Sequence, residues 1–231
     1  MADNEIYGAG ASFPDIAKAP MVKQKKRKTW IIPVAVAVLA IVIPLVYFLV
    51  ILHDPKFTVD DAEFGMNDTV KEIRETGLVL CGSDGTIKKA AKSLYPHSYL
   101  ETKYHIGKKI SEDKALTTGF VIQVGNFSGN TKPLENCTLY RVWYYPEYHS
   151  KELDVRIDGQ DFSNAARNDD LKDLLKASGI PFDDADIDAF IDGGSDELMY
   201  FNSMLVFKIT PDTNTESRLL FTVYRNKKVS K

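Results

Sequence analysis

The uncharged run between residues 30 and 52 constrains the chain more than any other feature. Its 23 residues are rich in Val, Ile, Leu and Ala, and about 20 apolar residues suffice for a helix to cross a hydrocarbon core. A cleaved signal peptide has an apolar region of roughly 7–15 residues followed by small residues, which this run does not match. The run therefore predicts an uncleaved transmembrane helix, residues 30–52, and the alternative is a buried core helix.

Basic residues crowd one side of this run. Five Lys and Arg lie between residues 23 and 28, whereas the nearest positive residues after the run are Lys56 and Lys71. The positive-inside rule predicts a cytoplasmic tail, residues 1–29, and a C-terminal part outside the cell. The predicted protein is a single-pass signal-anchor protein of the cell membrane, with the lipid bilayer as a partner. A nuclear-localisation or nucleic-acid patch is the disfavoured alternative.

The part of the chain after the run is acidic. Residues 53–231 contain 23 Lys and Arg and 29 Asp and Glu, so their net charge is 23 − 29 = −6. Binding to phosphates requires clustered basic residues, so the composition predicts no nucleic-acid partner. The segment is also long enough to bury a core without disulfides.

Cys81 and Cys137 both fall outside the membrane in this topology, where a disulfide can persist. A bridge requires Cα atoms within about 7 Å, which sequence spacing does not reveal. The sequence therefore leaves open a disulfide or two unpaired, buried thiols. Asn-x-Ser/Thr sequons occur at Asn67, Asn126 and Asn136 and matter only if the source cell glycosylates them.

An internal repeat organises the chain after residue 57. In the first copy, Thr69 to Glu72 matches a capping box, Gly77 can end the helix, and residues 87–94 have apolar positions at helical spacing. The second copy repeats this order. The matching positions are offset by about 100 residues: Val70 and Leu171, Ile73 and Leu174, Gly77 and Gly179, Ile87 and Ile187, Ala90 and Phe190, and Ala91 and Ile191.

Each helical pair precedes two strand patterns. Residues 120–124 and 137–145 form the first predicted hairpin, and residues 204–209 and 219–224 form the second. Because a lone hairpin is marginally stable, we expect the strands of each module, or of both modules, to build one antiparallel sheet with helices on one face. The predicted fold class is α+β: one transmembrane helix, then two helix–helix–hairpin modules, residues 58–150 and 151–231.

Two motifs of the second module carry a resemblance to known proteins. Gly179-Ile-Pro181 is a Gly-x-Pro motif at the end of a predicted helix, and Leu198-Met-Tyr200 begins a strand pattern. The module resembles that of the SmpA/OmlA lipoproteins and of the β-lactamase-inhibitor-protein type, and tandem copies are similar to membrane-anchored bacterial envelope proteins. The first copy departs from the pattern, because Gly77-Leu-Val lacks the proline. The resemblance implies a binding or assembly module without catalysis.

The densest acidic run is residues 182–197, where four carboxylates have the spacing of calcium-loop positions 1, 3, 5 and 9. Ala189 stands where the loop needs glycine, and Ser195 stands where a closing glutamate is needed. The run therefore favours an amphipathic helix with a solvated acidic face over a calcium site. The four candidate calcium ligands are Asp184, Asp186, Asp188 and Asp192.

The sequence predicts neither an enzyme nor a cofactor, because no catalytic motif is present and the histidines are not at metal-ligand spacing. Aromatic residues concentrate between residues 141 and 149. Strand alternation favours a core role for one face, and the alternative is that Trp143 or Tyr148 contributes to a partner surface. The leading prediction is an interaction or envelope-assembly protein with a protein partner. The alternative is a calcium- or ligand-sensing ectodomain that signals through the membrane span.

Overall fold

The computed structural model describes residues 54–89, 93–202, 204–211 and 218–226, together with Ala40. The chain divides into two compact units, residues 1–44 and 45–231, and the elements named here belong to the second. Its strands and helices are β1 (Lys56–Val59), β2 (Ala62–Gly65), α1 (Val70–Glu75), β3 (Leu78–Cys81), β4 (Ser93–Leu94), β5 (Ser98–Tyr99), β6 (Tyr104–Lys109), β7 (Ala115–Asn126), β8 (Lys132–Pro133), a 3₁₀ turn (Leu134–Asn136), β9 (Thr138–His149), β10 (Val155–Ile157), α2 (Asp169–Ser178), α3 (Asp184–Ile191), β11 (Leu198–Phe201), β12 (Leu205–Pro211) and β13 (Leu219–Arg225).

A large antiparallel sheet organises these elements. Its strand order is β11-β12-β13-β9-β7-β6-β3, and β5 pairs with the end of β7. The two central strands, β7 and β9, are 12 residues long each. A smaller antiparallel sheet has the order β10-β1-β2, and β4 pairs with β8.

The core lies between one face of the large sheet, the small sheet and the helices. Phe57 and Phe64 of the small sheet pack against Phe120 of β7, and these ring centroids lie 5.2–5.5 Å apart. Tyr144 of β9 continues this aromatic cluster at 5.2 Å from Phe120. The helices add Val70 and Ile73 from α1, Leu171 and Leu175 from α2, and Ile187 and Phe190 from α3.

The predicted capping box at the start of α1 is confirmed. The Thr69 N–H donates to the Glu72 carboxylate at 2.7 Å, and the Thr69 hydroxyl accepts from the Glu72 N–H at 3.2 Å. Gly77 follows the helix with a φ of +90°, as the prediction of a left-handed end requires. Gly179 closes α2 in the same way, with a φ of +71°.

The predicted helix over residues 87–94 is wrong for residues 87–89 and 93–94, and residues 90–92 lie outside the described residues. Ile87 pairs with Cys81 through an isolated antiparallel bridge, and the Lys88 N–H donates to the Leu80 carbonyl at 2.8 Å. Leu94 lies in β4, opposite Lys132. The turn at residues 82–86 returns the chain alongside β3, so pairing with that strand satisfies the backbone groups that a short, uncapped helix would have left to solvent.

The predicted fold class is also wrong. The described part of the chain is mostly antiparallel sheet, not a pair of helix–helix–hairpin modules. The strands of the two predicted hairpins join directly, because β13 pairs with β9 from Tyr144 to Arg141. The small sheet begins at Lys56, two residues before the predicted first module. Local periodicity revealed the helices of the second copy, but it could not reveal pairings between distant strands.

The predicted transmembrane helix, signal anchor and cell-membrane localisation also require correction. Among residues 54–89, 93–202, 204–211 and 218–226 and Ala40, no helix is long and apolar enough to cross a membrane. The predicted span, residues 30–52, lies outside the described residues apart from Ala40. The apolar run that motivated the prediction therefore gains no support from the structure.

Candidate functional site

The face of the large sheet that points away from the core carries a second set of side chains. Successive residues of a strand point to opposite faces, so Trp143 lies on the other side of β9 from Val142 and Tyr144. Trp143 pairs with Val121 of β7 and with Thr222 of β13. None of these three belongs to the hydrophobic core cluster. Trp143 is nevertheless only 7% exposed.

Two cations pack on the ring of Trp143. The Lys103 Nζ lies 4.5 Å from the ring centroid, and the Arg141 Cζ lies 5.2 Å from it. Arg141 also lies 4.9 Å from the ring centroid of Tyr224, which is its partner across β9 and β13. We call Lys103, Arg141, Trp143 and Tyr224 the aromatic–cation face.

Aromatic rings hold the two cations of this face. Neither Lys103 nor Arg141 forms a salt bridge with a carboxylate of the described residues. The Arg141 Nε is buried and has no hydrogen-bond partner among those residues. A ring face attracts a cation by about 0.5–2 kcal/mol and leaves its full charge in place. The face therefore presents two positive charges on a chain segment that is acidic as a whole.

The structure places both residues of the predicted partner surface on this side of the sheet. Tyr148 is 39% exposed, and its ring lies 5.1 Å from that of His105 and 5.7 Å from that of Tyr145. Burial lowers the pKa of His105, which favours the neutral imidazole at neutral pH. Trp143 is buried beneath Lys103 and Arg141, so a partner that binds this face would contact these two cations before the Trp143 ring. The role of these residues in binding stays a prediction.

Sequence reasoning identified Trp143 and missed the other members of the face. Arg141 could have been predicted from the sequence, because it lies two residues before Trp143 and strand alternation puts both on one side of the sheet. Tyr224 and Lys103 come from β13 and from the loop before β6. Tyr224 reaches Arg141 through a strand pairing that spans about 80 residues of sequence. Local sequence patterns do not reveal a pairing over such a distance.

The acidic run that suggested a calcium loop forms helix α3, as the favoured alternative predicted. Two of its carboxylates bind lysines of α2: Asp184 lies 3.1 Å from Lys176, and Asp188 lies 2.6 Å from Lys172. Among the residues that the structure describes, no group of three or more His, Cys, Asp or Glu side chains is arranged to hold a metal ion. Asp186 and Asp192, the other candidate ligands, are exposed residues of α3 and of its C-terminal cap.

The structure does not join Cys81 and Cys137, because both thiols are free and buried. The Cys81 Sγ donates to the His105 carbonyl at 3.5 Å, and the Cys137 Sγ donates to the Pro133 carbonyl at 3.3 Å. Burial raises the pKa of both thiols, and that of Cys81 to about 11. A thiol with such a pKa stays protonated at neutral pH and reacts slowly.

This pKa predicts a loss of stability at alkaline pH. The ordinary pKa of the thiol is 9, so between pH 9 and pH 11 Cys81 ionises in the unfolded chain and stays neutral in the folded chain. This ionisation stabilises the unfolded state relative to the folded state. We expect the free energy of unfolding to fall with pH over this window more steeply in the native protein than in Cys81→Ala. Urea titrations at stepped pH would measure both slopes. Equal slopes would contradict the expectation.

A groove of about 490 Å³ opens elsewhere, between the β1–β2 turn, the end of α1 and strands β3 and β6. Its volume is within the range of small-molecule sites. Its lining carries both signs of charge, from Asp61 and Glu63 and from Lys108 and Lys109. This mixture defines no single class of ligand.

Comparison with known proteins identifies no relative of this chain. No family model matches the chain, and neither a curated protein nor a solved structure is significantly similar to it.

Proposed function

We propose that this protein is a non-catalytic interaction module that binds an acidic segment of a protein partner on the aromatic–cation face. The observation that carries the proposal is the pair of cations, Lys103 and Arg141, that stack on aromatic rings and form no salt bridge with a described carboxylate. Charged residues held in place without a counter-ion are a natural recognition surface, because a bound carboxylate completes their pairing.

The chemistry of the face favours an anionic segment over a cationic one. Trp143 and Tyr224 already hold cations at 4.5–5.2 Å, so their electron-rich faces are not free for a partner's ammonium group. A guanidinium pairs with a carboxylate in two parallel hydrogen bonds, which supplies geometric selectivity. Arg and aromatic residues are also the types that dominate binding energy at protein interfaces.

The sensing alternative has weaker support. Helix α3 commits Asp184 and Asp188 to lysines, and the groove near β3 and β6 defines no ligand class. An interaction role without catalysis is also what the resemblance to the SmpA/OmlA and β-lactamase-inhibitor-protein modules implies. We therefore keep interaction as the proposal.

The proposal predicts selective binding of an acidic peptide. We expect the full chain to bind a fluorescein-labelled peptide of alternating glutamate and glycine, and to ignore the same peptide with lysine in place of glutamate. Arg141→Ala should weaken binding about tenfold or more, because a hydrogen bond to a charged group contributes about 1.5–3 kcal/mol. Lys103→Ala should weaken it less, since a surface ion pair contributes about 0–1 kcal/mol. Fluorescence anisotropy would measure the affinities.

Matched variants control for a general loss of positive charge. Arg156→Ala removes an exposed arginine that pairs with Asp154, and Lys71→Ala removes an exposed lysine of α1. Both should leave the affinity unchanged, and circular dichroism should show that all four variants fold. Equal loss in the Arg141 and Arg156 variants, or equal binding of the two peptides, would refute the proposal.

A further inference from the structure

Strand β11 is the last strand of the large sheet, and no described residue pairs with its outer side. At the opposite edge, residues 86–88 cover β3, where the Lys88 N–H donates to the Leu80 carbonyl and the Gly82 N–H donates to the Thr86 carbonyl. On β11, the strand pairings and the other backbone hydrogen bonds of the described residues occupy the β12 side alone. A free strand edge is a template for another strand.

The pairing with β12 shows which groups of β11 point outward. The Asn202 N–H donates to the Leu205 carbonyl at 3.0 Å, and hydrogen-bonded and non-hydrogen-bonded pairs alternate along an antiparallel ladder. Tyr200 is therefore bonded to Phe207 of β12. Met199 and Phe201, the residues between these bonded pairs, direct their N–H and carbonyl groups to the open edge.

The side chains at this edge do not discourage pairing. Natural edge strands are protected by charged residues, proline or bulges, whereas β11 has the sequence Leu-Met-Tyr-Phe. Phe201 is 56% exposed, and Met204, just beyond the strand, is 38% exposed. Glu197 precedes the strand and is neutralised by Lys208 of β12. The edge therefore offers exposed apolar surface together with backbone groups that no described residue pairs with.

We propose that β11 pairs with β11 of a second copy of this chain in antiparallel register about a twofold axis at Tyr200. In this register Met199 of each copy lies opposite Phe201 of the other, so the outward N–H and carbonyl groups of both residues meet their counterparts. The same patch serves both copies, as a closed twofold dimer requires. The Phe201 and Met199 side chains meet on the face that carries Trp143, which adds an apolar cross-strand contact.

Charge and contact area determine how tight this dimer is. The paired strands carry no charge, so their approach brings no like charges together on the strand itself. Four paired residues on each side bury less than the roughly 1,200 Å² of a standard interface, which predicts a weak, concentration-dependent dimer. Asp186 and Asp192 of the acidic α3 region are exposed, so the repulsion between copies should fall as salt screens it. We expect the dimer to strengthen with salt.

Engineered cysteines test both the partner and the register. We expect an equimolar mixture of Met199→Cys and Phe201→Cys proteins, in a glutathione redox buffer, to form a disulfide-linked dimer. Either variant alone should form at least about tenfold less, because identical positions lie diagonally, roughly 7–8 Å apart between Cα atoms, beyond the reach of a disulfide. The native Cys81 and Cys137 are 1% and 2% exposed and should not compete. Non-reducing electrophoresis and mass spectrometry would locate the bond.

Sedimentation velocity of the unmodified chain provides the second measurement. Phe201→Pro removes one outward N–H group and leaves the bonds to β12 in place, so it should lower the dimer fraction at least about tenfold while circular dichroism stays unchanged. A chain that remains monomeric at millimolar concentration would overturn the proposal. Cross-linking that is equal in the mixture and in the single variants, or a dimer that Phe201→Pro does not affect, would overturn it as well.

Discussion

Phe120→Ala lowers the free energy of unfolding by about 3–5 kcal/mol, the range observed when a large buried aromatic residue is truncated. Phe120 is fully buried in the centre of β7. Its ring contacts Phe57 and Phe64 of the small sheet and Tyr144 of β9. The truncation therefore leaves a cavity where the small sheet meets the large one, and three rigid rings surround it.

Chemical denaturation followed by circular dichroism would measure this loss. Phe201→Ala is the matched control, because it makes the same change at a ring that is 56% exposed, and surface substitutions usually change stability by less than about 0.5 kcal/mol. The comparison belongs at low protein concentration, where the chain is monomeric. A loss of similar size in both variants would show that Phe120 does not join the two sheets.

The sequence revealed the helices of the second copy because their signals are local. The glycine that ends α2 lies within one turn of the residues it caps, and apolar spacing marks the buried face of each helix. The same apolar spacing failed for residues 87–94. Ile87 instead pairs with Cys81 of β3, because the turn between Gly82 and Gly85 returns the chain alongside that strand.

The strands were predictable only as fragments. Gly119 interrupts the apolar sequence pattern of β7, and Pro146 interrupts that of β9. The predicted strands were therefore shorter than the 12 residues that each has in the structure. Proline is tolerated in β9 because the pairing with β13 stops at Tyr144, two residues before it. One of the two partners of β1 is β10, about 100 residues away, and the sequence of a four-residue strand does not reveal such a partner.

The candidate site was predictable to the same extent. The sequence singled out Trp143, and alternation along β9 would have added Arg141. Lys103 and Tyr224 reach the ring system through the tertiary fold. The open edge at β11 was equally hidden, since a strand is an edge only by its place in the sheet order.

Gly119→Ala is expected to lower the free energy of unfolding by about 3 kcal/mol. Gly119 lies at the register shift of β7 between Thr118 and Phe120, with a φ of +82°. A Cβ atom there would lie 2.8 Å from the Tyr145 carbonyl oxygen and 2.9 Å from the Tyr144 Cε2. The left-handed backbone costs alanine about 1–2 kcal/mol, and the forced overlap with a packed strand adds about 1–3 kcal/mol.

Gly77→Ala separates these two contributions. Gly77 also has a positive φ, +90°, but a Cβ atom there would meet nothing within 4 Å, so alanine at this position bears the backbone cost alone, about 1–2 kcal/mol. In urea denaturation, the free energy of unfolding should fall further for Gly119→Ala than for Gly77→Ala, by the cost of the steric overlap at Gly119. Equal losses of stability in the two variants would mean that β9 moves away from the new Cβ atom without a free-energy cost. We do not expect this, because the buried Thr118 hydroxyl fixes the bulge by donating to the Ile106 carbonyl at 2.9 Å. A larger loss at Gly119 would identify this bulge as the point that fixes the register of the two central strands.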